Sequence, residues 1–204
     1  MMNTRKRKES VRVTKEKKVF NVLYDNGKIR KYKPWLGDMF SFLYNMIMDK
    51  SVFPNKFNGS IQKHFEILKG EFQDIHHQKI LDIAAGSGNA VEFLRNDNSY
   101  IGTDISSGLL GMAAKKFNHS VFENAEFYVT DANNMPFGNN FFDLSLCHLT
   151  LNFFTNIDNF ILELKRVLKP GGIFFSGTPT PEKKKTDVKI GGTLYAEDEL
   201  KEMF

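Results

Sequence analysis

Cysteine and long apolar runs are scarce in this 204-residue sequence. The single cysteine, Cys147, excludes an intramolecular disulfide and is typical of a reducing compartment, so we expect a cytoplasmic location. No apolar run approaches the roughly 20 residues that span a bilayer, and the N-terminal MMNTRKRKES lacks the apolar core of a secretory signal. The composition, with 41% hydrophobic and 25% charged residues, predicts a globular protein with one sizeable core.

Charge is distributed unevenly along the chain. Residues 1–33 contain twelve Lys or Arg and three Asp or Glu, whereas residues 34–204 contain sixteen and twenty-one. We interpret this basic arm as a solvated, partly disordered tail, with binding to nucleic acid or another anionic surface as the alternative. Within it, residues 19–33 carry an Asp25-Asn26-Gly27 turn signal between two possible strands, which predicts a short β-hairpin.

The most informative stretch is KILDIAAGSGN, residues 79–89. Its apolar start, interrupted by Asp82, predicts a buried strand, the small residues 84–88 predict a tight turn, and apolar residues resume at helical spacing from Ala90. This succession begins a nucleotide-binding βαβ unit, in which backbone N–H groups meet the ligand. The next predicted strand ends at Asp104, 22 residues after Asp82, where such folds hold a ribose diol. The alternative is that Asp104 caps the following helix.

Together with two later segments, these stretches resemble the class I S-adenosylmethionine-dependent methyltransferases. The four segments are LDIAAGSG (81–88), TDIS (103–106), VTDANNMPFGNNFFD (129–143) and LKPGG (168–172). The resemblance covers about residues 57–204 and is strongest to the type 11-like branch that methylates quinones and diverse small molecules. Ala84 stands where many members have their first glycine, but alanine is still small enough for the turn.

The resemblance implies a Rossmann-like, doubly wound α/β fold with a mostly parallel sheet in the order 3-2-1-4-5. Strands that alternate with amphipathic helices, as predicted here, also favour a parallel sheet covered on both faces. Members usually continue into two further strands, for which this sequence has no residues, so either it is truncated or the N-terminal hairpin supplies the missing edge. We divide the chain into the basic arm (1–33), a helical cap segment (34–56) and the methyltransferase core (57–204).

The resemblance also implies functional residues at the ends of the strands. Asp104 would accept hydrogen bonds from the ribose hydroxyls, while Asp131 and the Ala132 N–H would meet the adenine. Thr150, after the fourth strand, and Tyr44, in the cap segment, are candidate acceptor contacts. The full set expected to bind the cofactor is Asp82, Ala84, Ala85, Gly86, Ser87, Gly88, Asp104, Ile105, Asp131, Ala132 and His148.

The sequence therefore predicts an enzyme that moves a methyl group from S-adenosylmethionine to a small-molecule acceptor and releases S-adenosylhomocysteine. His148 is the candidate general base, with a purely structural histidine as its alternative. We predict no metal site, since His76 and His77 have no third ligand at a recognisable spacing.

Other functions remain open at this point. An RNA or protein methyltransferase docked by the basic arm is one alternative, and a catalytically inactive scaffold that binds S-adenosylmethionine is another. An NAD-binding reductase is less favoured, because Ala84 and Val91 replace two glycines of the G-x-G-x-x-G pattern. The segment after the fourth strand, CHLTLNFF, lacks the Asn/Asp-Pro-Pro-aromatic turn found in enzymes that methylate DNA bases or glutamine.

Overall fold

The computed structural model describes residues 8, 13–16, 19–32, 46, 48–56, 59–180 and 192–204. Its strands are β1 (Val13–Glu16), β2 (Val19–Val22), β3 (Lys79–Ile83), β4 (Ser99–Asp104), β5 (Ala125–Val129), β6 (Phe142–His148) and β7 (Leu168–Gly177). Its helices are α1 (Ile61–Glu71), α2 (Ser107–Asn118), α3 (Ile157–Val167) and α4 (Glu197–Met203). Shorter helical turns lie at Met48–Val52, Phe53–Lys56, Asn89–Glu92 and Leu151–Phe153.

The strands form one sheet in the order β1-β2-β5-β4-β3-β6-β7. The β1–β2 pair is antiparallel, and every other neighbouring pair is parallel. The five predicted core strands are β3 to β7, and their spatial order β5-β4-β3-β6-β7 is the predicted 3-2-1-4-5. The α/β fold class is thus confirmed, and the parallel order brings the carboxyl ends of β3, β4, β5 and β6 to one edge.

Helices cover both faces of the sheet. Alternate residues of β3 supply the two cores, because Ile80 packs on one face whereas Leu81 and Ile83 pack on the other. The first core includes α1 and α2, and the second includes α3, with α4 packed against it. Each fully buried Phe or Leu side chain contributes about 1.5–3 kcal/mol, so the two layers hold the strand ends at defined positions.

Strands β1 and β2 of the basic arm belong to the sheet, so the solvated-tail interpretation is wrong for these two strands. β2 pairs in parallel with β5, and the ring of Phe20 stacks on that of Tyr128 with their centroids 4.7 Å apart. The predicted tight turn forms between Tyr24 and Lys28, with Gly27 at a φ of +79°. The two sides of this turn pair antiparallel at Leu23 and Ile29, as in the predicted hairpin, whereas the longer antiparallel pair, β1 and β2, precedes the turn.

The hairpin extends the sheet beside β5, whereas β7 lies at the opposite edge. Among the described residues, β1 and β2 therefore extend the sheet on the β5 side only. Tyr44 and most of the cap segment lie outside the described residues. The described residues 48–56 of this segment form two consecutive helical turns, and Pro54 lies in the second of them.

Two element boundaries differ from the sequence prediction. The helix expected after the small-residue loop is a single 3₁₀ turn, Asn89–Glu92, because Asn98 already bonds to the Gln78 N–H at 2.8 Å and returns the chain to β4. The Pro170-Gly171-Gly172 segment is typical of a helix stop, but α3 already ends at Val167 and β7 begins at Leu168, so this segment lies inside the strand. A register irregularity opposite Phe142–Leu144 accommodates it.

Candidate functional site

The loop after β3 has a strained backbone at the carboxyl edge of the sheet. Ala84, Gly86 and Gly88 have φ angles of 57°, 54° and 76°, in the left-handed region that glycine adopts without penalty. The Ala85 N–H donates to a β4 carbonyl at 2.8 Å and holds the loop against that strand. A Cβ on Gly88 would lie 2.7 Å from the Cβ of Ala113, so glycine here lets α2 pack closely on the loop.

Asp104 joins this loop to the start of α2. Its Oδ2 accepts a hydrogen bond from the Gly86 N–H at 3.0 Å, and its Oδ1 accepts from the Ser106 N–H at 2.9 Å. The cap of α2 is Ser106, whose Oγ accepts from the Leu109 N–H, so Asp104 is not the helix cap considered above. The arrangement places a half-buried carboxylate beside the loop, next to the exposed Ile105.

Asp82 lies beneath the loop and is buried. Its Oδ2 accepts a hydrogen bond from the Tyr100 hydroxyl at 2.6 Å. Burial raises the pKa of Asp82 to about 7, the Asp104 charge adds to the increase, and the bond from Tyr100 opposes it. A carboxyl group with this pKa ionises readily when a cationic group binds beside it.

Asp131 and Ala132 follow β5 at the same edge. The Asp131 Oδ1 accepts hydrogen bonds from the Asn133 N–H at 2.9 Å and from the Asn133 side chain at 3.1 Å, which closes a turn. Tyr32 of the arm reaches this point, where it bonds to Thr130 and to the Asp131 backbone, and burial raises its pKa. The arm therefore contacts the end of β5 where the adenine contact was predicted.

His148 ends β6 and lies at a crowded position. The distance between its Nε2 and the Nε2 of His64 in α1 is 2.6 Å. A Cβ on Gly177 would lie 2.8 Å from the His148 Cδ2, so the ring packs directly on the β7 backbone. Burial lowers the pKa of His148 to about 4, and the neighbouring His64 adds to the decrease. Leu149 has a φ of 57°, and the Thr150 hydroxyl donates to the His148 carbonyl at 3.0 Å.

A cleft of about 50 Å³ lies between α1 and the ends of β3 and β6. The predicted residues that line it are Asp82, Ala84, Ala85, Gly86, Ser87, His148 and Thr150. The predicted residues that do not line it, although they lie at the same edge of the sheet, are Gly88, Asp104, Ile105, Asp131 and Ala132. Tyr44 lies outside the described residues, so its predicted role is not addressed by this geometry.

The sequence analysis missed the outer wall of the cleft. Ile61 and Phe65 of α1 and Phe93 after the 3₁₀ turn supply its apolar side. The amphipathic spacing of Ile61, Phe65 and Leu68 predicts that this helix packs on the sheet, but not that one end of the apolar face covers the loop. The spacing alone therefore predicts core packing and not a wall of the cleft.

Metal-ligating side chains are dispersed over the residues that the structure describes, where no group of three or more His, Cys, Asp or Glu is placed to hold an ion. The His76 Nδ1 instead pairs with Asp97 at 2.7 Å. Cys147 is buried in β6, and burial raises its pKa far above the ordinary thiol value. Within the same described ranges, no helix is long and apolar enough to cross a bilayer.

Comparison with known proteins identifies relatives over the part of the chain that contains the loop and the strand ends. A family model described as a methyltransferase domain matches residues 81–176. The ubiquinone/menaquinone biosynthesis C-methyltransferase UbiE of Coxiella burnetii is 31% identical over 100 residues, which are 47% of this chain and 40% of that protein. This chain thus spans less than half the length of the curated relative.

Solved structures share the fold over a larger part of the chain. A SAM-dependent methyltransferase from Aquifex aeolicus superposes with a TM-score of 0.58 at 20% identity, covering 80% of this chain and 84% of that one. The [4+2]-cyclase SpnF gives a TM-score of 0.61 at 22% identity, covering 71% of this chain and 55% of that one. At these identities the likeness shows the fold alone, and the cyclase illustrates that one fold supports different reactions.

Proposed function

We propose that this chain is a class I S-adenosylmethionine-dependent methyltransferase that transfers a methyl group from S-adenosylmethionine to a small-molecule acceptor, which the match of residues 81–176 to a methyltransferase domain supports. The observation that carries the proposal is the loop with left-handed residues at positions 84, 86 and 88, set between the Asp82 and Asp104 carboxyls. We propose a cytoplasmic location on the weaker ground of the single, free cysteine.

The residues at this edge fit the proposed cofactor. S-adenosylmethionine supplies a methyl group on a positively charged sulfur and also carries an ammonium group, a ribose diol and an adenine. The buried Asp82 carboxyl would ionise beside the ammonium, because a nearby positive charge offsets the unfavourable burial of its negative form. Asp104 would accept hydrogen bonds from the diol, and Asp131 with the Ala132 N–H would hold the adenine. Positioning and exclusion of water supply most of the catalysis in such a site.

The acceptor side of the cleft favours a small and partly apolar molecule. Ile61, Phe65 and Phe93 provide its apolar wall, while His148 and Thr150 provide polar groups at the end of β6. Pockets of this kind, apolar with a few polar groups, are typical of small-molecule sites. The relationship to a C-methyltransferase of quinone biosynthesis supports the same class of acceptor.

Calorimetric titration of the whole chain with S-adenosylmethionine tests the proposal. We expect micromolar binding that is weakened strongly in Asp104→Asn, because the variant replaces one carboxylate oxygen by a donor. Asp158→Asn is the matched control, since Asp158 is exposed on the opposite face of the sheet in α3. Binding of NAD in place of S-adenosylmethionine, or equal binding by both variants, would contradict the assignment of this site.

The two remaining alternatives need separate measurements. A scaffold would bind S-adenosylmethionine but release no S-adenosylhomocysteine with any acceptor. An enzyme docked on RNA by the arm would lose affinity steeply with salt and after replacement of the exposed Lys15, Lys28 and Lys31 by glutamine. Deleting residues 1–33 is a poor test, because it also removes β1 and β2 from the sheet.

A further inference from the structure

His64 and His148 form a histidine pair beside the cleft, although neither the family match nor the sequence analysis connects them. Their Nε2 atoms are 2.6 Å apart, and the rings lie edge to edge with their centroids 4.8 Å apart and their planes inclined by 19°. Two imidazole nitrogens at this distance need one proton between them, so one ring donates and the other accepts. When His148 is the donor, its Nδ1 carries a lone pair and is able to take up another proton.

The two rings differ in how well they tolerate positive charge. His148 lines the cleft and packs on the Gly177 backbone and against Phe93, and its pKa is lowered to about 4, mainly by burial. His64 projects from α1 and is half exposed, and burial lowers its pKa without a second cause. Charge that arises in the cleft is therefore more stable on His64 than on His148.

Among the described residues that line the cleft, no other titratable group is placed to accept the proton in place of the histidine pair. Asp82 is the titratable group, apart from His148, among the described residues that line the cleft, and it bonds to Tyr100. The neighbouring walls are apolar on the α1 side and at Phe93. His148 Nδ1 makes no hydrogen bond to any described residue, whereas its Nε2 is engaged by His64.

We propose that His148 and His64 form a proton relay and that the methyl acceptor is a weakly acidic hydroxyl compound, of which a phenol is the simplest case. This proposal rests on the proposed methyl transfer and names the acceptor class for the same site. His148 is the catalytic residue, because it lines the cleft where the acceptor binds. His64 is a positioning residue that acts through His148.

The step balances in atoms and charge. The O–H bond of the acceptor breaks, its proton goes to His148 Nδ1, and an electron pair of the acceptor forms the bond to the methyl carbon. The pair of the old carbon–sulfur bond stays on sulfur, which loses its positive charge. His148 Nε2–H then passes its proton to His64 Nε2, so the positive charge ends on the half-exposed histidine and leaves to solvent.

The pair itself is tested by NMR of the imidazole nitrogens in the whole chain, without acceptor. We expect coupling between the two Nε2 nuclei across one hydrogen bond, and the first added proton to reside on His64 while His148 stays neutral. Adding S-adenosylhomocysteine reports on binding in the same sample. Independent titration of the two rings with no coupling between them would overturn the relay, whatever the activity.

The relay and the acceptor class are tested with two phenols of different acidity and radioactive methyl donor. Phenol itself is un-ionised at neutral pH and needs the relay, so His64→Gln should slow its methylation by about 100-fold. A dinitrophenol is already ionised, so the same variant should leave its rate nearly unchanged. His119→Gln, at the exposed end of α2, is the control and should match the unaltered chain with both compounds.

Each contrary result has a distinct meaning. Equal slowing of both phenols by His64→Gln would reduce His64 to a structural role and overturn the relay. A chain that binds S-adenosylmethionine but methylates neither phenol would overturn the acceptor class. Failure to bind S-adenosylmethionine would instead refute the proposed function, and calorimetry detects that before any acceptor is added.

Discussion

Ala84 shows how one residue stores strain in the loop after β3. Its φ of 57° is costly for an L-residue with a Cβ, by about 1–2 kcal/mol, and glycine avoids this penalty while adding freedom to the unfolded chain. We therefore expect Ala84→Gly to raise the free energy of unfolding in urea by about 0.5–1 kcal/mol. Ala85→Gly, one residue away and without a positive φ, should lower it. Destabilisation by both changes would show that Ala84 carries no strain.

Asp82 gives the chain a pH dependence of known sign. Its folded pKa of about 7 lies above its ordinary 3.8, so its contribution to stability is fully present below pH 3.8 and is lost as the pH rises through 7. The melting temperature of Asp82→Asn should therefore rise relative to that of the unaltered chain between these pH values. The same variant should bind S-adenosylmethionine more weakly above pH 7, where it lacks the carboxylate.

The informative quantity is the difference in melting temperature between Asp82→Asn and the unaltered chain at each pH. His148 has a folded pKa of about 4, below its ordinary 6.5, so its contribution is present above pH 6.5 and is lost as the pH falls through 4. Stability falls with rising pH because of Asp82 but rises because of His148, so the two effects oppose each other over part of this pH range. Both chains contain His148, so subtracting one melting temperature from the other removes its effect. A constant difference from acid to neutral pH would show that Asp82 does not have the raised pKa.

At the scale of elements, we expect α1 to move when the cofactor binds. The cleft beneath it holds about 50 Å³, far less than the roughly 300 Å³ of the smallest typical ligand pockets. Because Ile61 and Phe65 form its outer wall and the sheet forms the inner one, we expect α1 to swing outward when the cofactor alone binds and to return when the acceptor binds, since the proposed relay needs the His64–His148 contact. Spin labels at Glu66 in α1 and Asp158 in α3, on opposite faces of the sheet, should move apart when S-adenosylhomocysteine is added.

A label pair at Lys115 in α2 and Asp158 in α3 is the control for this movement. These two exposed positions also span the sheet, but α2 is held by the Gly88–Ala113 contact and the Ser106 cap. Their distance should stay constant on binding. An unchanged distance at both pairs in a chain that demonstrably binds the ligand would contradict the outward movement of α1.

At the scale of the whole molecule, the N-terminal arm is a stabilising part of the sheet. Phe20 stacks on the fully buried Tyr128, and Val19 and Val22 of the same strand are buried. Phe20→Ala should therefore lower the free energy of unfolding by about 2 kcal/mol, through lost burial and lost stacking. Tyr24→Ala, whose ring is 46% exposed beyond β2, should have a much smaller effect in the same urea titration.

Equal effects of these two substitutions would mean that β2 is not docked in solution. In that case the arm would behave as the solvated tail that its charge suggested. Composition alone favours that interpretation, because twelve basic residues among thirty-three look unable to build a core. The segment Val19–Asn21 overcomes it by pairing in parallel with β5, and the buried side chains of Val19 and Val22 add apolar contacts.

The sequence by itself determined the local units of this protein. The apolar run before residue 84, the small residues after it and the acid at Asp104 each follow from neighbours along the chain, and these predicted the core strands and the cofactor loop. Short-range patterns specify such units because period, turn chemistry and capping act within a few residues. The predicted element boundaries at Leu168 and Asn89 were wrong, because strand pairing at β7 and the short distance to β4 override local preference.

Only the tertiary structure decided which of these units meet. His64 and His148 are 84 residues apart, and the pairing of their rings depends on how α1 crosses the end of β6. Asp82 obtains its raised pKa from burial and from Asp104, which lies on the next strand. These effects arise from proximity in space, and no pattern within one segment carries that information, so the cleft, its electrostatics and the histidine pair emerge only when the sheet is assembled.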